Sequence, residues 1–123
     1  MVEGELMKKK ELIEKICNSA LDKKAENVVV LDISEMTVIA DNFIICSGSS
    51  HSQVKAICDN IEEQLKKVGE DTIKIDGYNE ARWVVLDYAD VLVHVFYNED
   101  RQFYNLERLW NNGNNMYVFS DKN

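Results

Sequence analysis

One cysteine, three serines and a histidine fall within the six positions Cys46–His51, where a short apolar run ends and a helical pattern begins. A Gly–Ser loop at a helix N-terminus can hold an anion on free backbone N–H groups. Nucleotidyl transfer at such a loop would also need two carboxylates on one strand face to hold magnesium, hence at positions i and i+2. Asp32 is followed by Ile33 and Ser34, and Asp87 by Tyr88 and Ala89, so neither has its second carboxylate. A helix cap accounts for Ser50 and Gly48. Ser47, Ser49, Ser50 and His51 lack the G-x-S-x-G elbow of a nucleophilic hydrolase. Cys46 and His51 are a lone pair at a spacing that does not suit a metal site. No catalytic residue, cofactor or metal is therefore expected. His94 sits inside the apolar run Val91–Tyr97, on the strand face of Leu92 and Phe96. General acid–base work would need an acid or nucleophile facing it, and a packed, hydrogen-bonded histidine is the simpler reading.

Trp83–Tyr88 points to binding instead. Alternation places Trp83, Val85 and Asp87 on one strand face and Val84, Leu86 and Tyr88 on the other. Tryptophan and tyrosine are common interface anchors, and Arg82 and Asp87 supply directed polar contacts. The same pattern suits a tryptophan that is simply core, so periodicity leaves Trp83 balanced between the two.

The elements that must position these residues follow from hydrophobic spacing. Residues 7–22 read as a helix with Leu12, Ile13, Ile16, Cys17, Ala20 and Leu21 on one face. Val28–Ile33 reads as a buried strand, Ser34–Asp41 as a loop or ragged edge, and Phe43–Cys46 as a second strand. Residues 51–68 carry a helical stripe of Val54, Ile57, Cys58, Ile61, Leu65 and Val68, with Ser50 and Gln53 at capping-box spacing and Gly69 ending the helix. Thr72–Ile75 is a short strand. Arg82–Tyr88 and Val91–Tyr97 form an antiparallel hairpin about Ala89-Asp90. A last helix opens at Asn98–Asp100, turns Phe103, Leu106, Leu109 and Trp110 inward, and stops at Gly113 before a polar, mobile tail. The fold class is thus α/β: one domain over residues 1–123, core about 10–111, with a mixed sheet of about five strands and about three helices.

Composition narrows the function classes. An apolar share of 46% is enough for one core without staples. The odd number of cysteines, 3, argues against a disulfide framework and for a reducing compartment. The charged start Met1–Glu11 leads into a helical pattern, so no signal peptide or membrane span is expected and the chain is placed in the cytoplasm. A net charge of −8 disfavours extensive contact with nucleic-acid phosphate and suits either solubility alone or a basic protein partner.

Arg82–Phe96 (RWVVLDYADVLVHVF) closely resembles the signature of the ribosomal silencing factor family, also called Iojap-like. Ala25–Ile33 (AENVVVLDI), Ala40–Ser50 (ADNFIICSGSS) and Phe103–Trp110 (FYNLERLW) resemble its first strand, its second strand and loop, and its closing helix. The likeness runs from about residue 10 to 111. It implies a fold similar to nucleotidyltransferases without their catalytic residues. It further implies binding to the large ribosomal subunit through its protein number fourteen (uL-fourteen), blockage of small-subunit joining, and repression of translation when nutrients are scarce. Homodimers off the ribosome are also implied. Carried over by position, the partner surface falls on Trp83, Asp87 and Tyr88, with Arg82 and Val85 beside them. One residue departs from the family pattern. The family usually has glycine where this chain has Ala89, which would strain the alanine if the turn needs φ > 0. The competing readings are a nucleotide-binding transferase using Cys46–His51, which magnesium-dependent nucleotide binding would reveal, and a homodimeric scaffold with no ribosomal role, whose dimer gel filtration would test without deciding against ribosome binding.

Overall fold

Helix α1 spans Val2–Asp22, strand β1 Glu26–Asp32, β2 Asn42–Gly48, helix α2 His51–Lys67, and strands β3, β4 and β5 Lys74–Asp76, Trp83–Tyr88 and Val91–Tyr97. Helices α3 (Asn98–Tyr104) and α4 (Leu106–Trp110) and strand β6 (Met116–Val118) close the chain. The computed structural model describes residues 2–120. The strands form one mixed sheet, ordered β3-β4-β5-β2-β1-β6. β2 and β5 are parallel and the other neighbours antiparallel. Helix α2 therefore carries the chain from β2 to β3 in the same direction, as a crossover must. No helix among the described residues is long and apolar enough to cross a membrane.

The helical stripes read from spacing pack one face of the sheet. Ile13, Ile16, Cys17 and Ala20 of α1 and Val54, Ile57, Cys58, Ile61 and Leu65 of α2 are buried against Val30, Ile44, Cys46, Val84, Leu86 and Val95. Each buried valine, leucine or isoleucine among them contributes about 1.5–3 kcal/mol by leaving water. All three cysteines are buried and free, and burial pushes the Cys46 thiol up to about 12. They serve as small apolar fillers. Helix α2 begins as its sequence requires: Ser50 Oγ accepts from the Gln53 N–H, and Gln53 Oε1 accepts from the Ser49 N–H.

The opposite face carries Val29, Leu31, Phe43, Ile45 and Phe96 under Leu106 and Trp110. Here two expectations are corrected. The last helix is broken at Asn105, whose φ of 47° is left-handed. That residue resets the helical phase, so Phe103 and Leu109 are exposed at 81% and 71%, and of the four residues expected to point inward only Leu106 and part of Trp110 face the sheet. The segment read as a mobile tail instead supplies β6, the sixth strand, paired antiparallel to β1. Asparagine side chains build the turn into it. Asn111 and Asn112 accept from the Gly113 and Asn114 N–H groups, and Asn115 Nδ2 donates to the Trp110 and Asp32 carbonyls.

The β4–β5 hairpin has a two-residue loop, since Tyr88 pairs with Val91. Ala89 holds φ at 66°, with its N–H donated to Asp87 Oδ1 at 2.8 Å. An L-residue in that region is strained by about 1–2 kcal/mol, and glycine is not. Ala89→Gly is expected to stabilise the domain by about 0.5–1 kcal/mol, the gain being trimmed by the freer unfolded chain. Thermal unfolding would show a rise of a few degrees. A fall would mean that the turn is not strained.

Candidate functional site

The hairpin register decides which side chains share a face. Trp83 pairs with Phe96, Val85 with His94 and Asp87 with Leu92, all on the face carrying α3 and α4. Helix α3 lies over β5 and β2. Trp83, Val85, Asp87 and Leu92 remain partly open, forming a strip along one side of the sheet. Lys74 and Asp76 of β3 continue this face outward, 3.8 Å apart and exposed.

Trp83 is held on three sides. Its ring stacks on Phe96 at 5.0 Å and meets Tyr104 at 4.8 Å, and its Nε1–H is donated to His94 Nδ1 at 3.0 Å. Asp87 spends one oxygen on the Ala89 N–H. Arg82 lies just outside the strand, exposed, with a two-pronged contact to Asp100 at 3.0 and 3.2 Å that also raises its pKa. Tyr88 is the sequence candidate that the structure sets apart. It lies on the α2 face at 5% exposure, and its hydroxyl accepts from Thr72 at 2.9 Å. It braces the strand from behind and does not line the open strip. Leu92 in the strip and Tyr104 beside it were not among the sequence candidates. The two-residue hairpin would have paired Leu92 with Asp87, but nothing local announces Tyr104.

The Cys46–His51 loop is occupied by its own contacts. Besides the cap, Ser47 Oγ accepts from Arg101 at 3.2 Å, and Ser49 Oγ donates to Gln53 Oε1. His51 stacks on Tyr97 at 4.4 Å, with Nδ1 3.1 Å from the Ala81 carbonyl. Asp32 accepts from the Ser34 hydroxyl and N–H, which hold its carboxyl below the usual range.

His94 is 6% exposed, beside Phe43 in an edge-on contact at 4.6 Å. Burial pushes its pKa down to about 4. The unfolded chain, with an ordinary imidazole near 6.5, binds a proton over the intervening range that the folded chain does not. This contribution is therefore complete above about pH 6.5 and lost as pH falls to about 4, amounting to about 3 kcal/mol. Urea unfolding at pH 7 and pH 4.5 should show that loss, and His94→Gln should lose less stability over the same interval. Equal losses in both proteins would contradict the assignment.

Residues 7–123 match the family model described as ribosomal silencing factor during starvation. The ribosomal silencing factor RsfS of Halalkalibacterium halodurans is 43% identical over 85% of this chain and 89% of its own length. That of Bacillus subtilis is 41% identical over 85% and 88%. The maize chloroplastic protein Iojap is 32% identical over 79% of this chain and 42% of its own. A crystal structure of a Chromobacterium violaceum protein superposes with a TM-score of 0.80 at 32% identity, covering 82% of this chain and 84% of that one.

Proposed function

This chain belongs to the ribosomal silencing factor family, and we propose that it docks on the large ribosomal subunit through the open strip of β4 and thereby keeps the small subunit from joining. Family membership makes it a regulator of translation directed at the ribosome, and not an enzyme. The partner within the large subunit is its protein uL-fourteen. The observation that carries the surface is the half-buried strip Trp83–Val85–Asp87: an aromatic anchor set in a rigid sheet, with carboxylates at its rim. Anchors of this kind supply affinity, and rim charges mainly set the encounter rate. The net charge of −8 suits a basic partner surface. The block is steric, so only affinity and bulk are required.

Pelleting with separated subunits tests this reading. The protein should travel with large subunits and not with small ones, and a photo-crosslinker in place of Val85 should mark uL-fourteen. Failure to pellet with large subunits would defeat the docking reading. Crosslinks confined to ribosomal RNA would defeat the choice of partner.

A further inference from the structure

We infer that His94 is a positioning residue for the docking surface, acting through Trp83; this rests on the docking reading above. Indole nitrogen only donates, so the 3.0 Å contact makes His94 Nδ1 the acceptor and fixes the imidazole as the neutral tautomer protonated on Nε2. The imidazole is buried and held by packing, edge-on to Phe43 and beside Phe96 two residues along the same strand, while its Nε2 has no hydrogen-bond partner among the described residues. It therefore acts as a stop behind the indole. The one polar atom of Trp83 is turned inward and spent, and a partner meets only the carbon surface of the ring. That selects the chemistry of the complementary site. It should be apolar or carry a lysine or arginine over the ring, and it gains nothing from a carbonyl aimed at the indole nitrogen.

His94→Phe keeps a ring of similar bulk but removes the acceptor. His94→Gln keeps an acceptor on a different frame. In the free protein, the two indole N–H resonances are assigned with Trp83→Phe. The Trp83 resonance should move upfield and exchange faster with solvent in His94→Phe, and return most of the way in His94→Gln. Large-subunit affinity should fall by about tenfold in His94→Phe, the cost of an indole donor left unpaired. It should recover in His94→Gln. In the Trp83→Phe background, His94→Phe should have no further effect on affinity. An unmoved Trp83 resonance in His94→Phe, or equal loss of affinity in the single and Trp83→Phe backgrounds, overturns the inference. Should His94→Phe fail to fold, His94→Gln alone decides, because its Trp83 resonance must stay in the hydrogen-bonded range. Failure of the unmodified protein to bind large subunits falls on the docking reading, while the resonance still reports on the positioning.

Discussion

Trp83→Ala should weaken large-subunit binding by about a hundredfold or more while the sheet stays folded. A well-set aromatic anchor is worth about 2–4 kcal/mol at an interface, and each 1.4 kcal/mol is tenfold in affinity. Trp83 has the attributes of such an anchor. It projects from a paired strand, its ring is locked against Phe96 and Tyr104, and it is still partly open. Removing it costs stability too, since His94 Nδ1 loses its donor and part of a ring leaves the core. That cost is smaller than for a fully buried aromatic, and the α1–α2 face is untouched. Pelleting affinity measured alongside circular dichroism separates the two effects. Retained fold with lost binding supports the docking surface. Retained fold with unchanged binding would return Trp83 to the core.

The largest effect on stability should come from a residue that no sequence pattern singled out. Arg101 is 7% exposed and ties four parts of the chain together. Its Nη1 donates to the Glu26 carbonyl and Ser47 Oγ, its Nη2 to the Asn27 carbonyl, and Nε and Nη2 to Glu107 Oε2. It thereby pins the irregular start of β1, where Asn27 has φ of 49°, to α3, α4 and the end of β2. Arg101→Met leaves a largely buried carboxylate and two carbonyls without their donor. Breaking one side of such a pair costs about 3–5 kcal/mol. A fall in Tm of more than about 10 °C is expected. Arg82→Ala, at an exposed pair, should change Tm little, because solvent screens that contact. Similar small shifts for both variants would contradict the role given to Arg101.

These two residues mark the limits of what the sequence showed. Strands and helices whose apolar spacing is continuous were legible, because a stripe such as Val54–Leu65 or a run such as Val28–Leu31 has one way to be buried. The faces of β4 followed from alternation alone. What alternation could not say was which face the helices cover less completely. That depends on α3 and α4 being short and on the break at Asn105, a left-handed residue inside an otherwise unbroken helical pattern. Tyr88 was grouped with Trp83 through the family resemblance, although alternation already put the two on opposite faces, and the structure places Tyr88 on the α2 face. β6 was missed because its signal is three residues long and follows a run of asparagines that reads as disorder. Those asparagines are the turn. Arg101 was missed because a buried arginine is recognisable only from the carbonyls that converge on it from elsewhere in the chain.

The central claim is that this protein acts by occupying space on the large subunit. The measurement that addresses it most directly is the rate and extent of subunit joining, followed by light scattering with purified subunits. The protein should lower joining in proportion to its occupancy of large subunits when added before the small subunit, with no nucleotide required, and Trp83→Ala should relieve the block. Joining that proceeds unchanged while the large subunits are saturated with the protein would contradict the account.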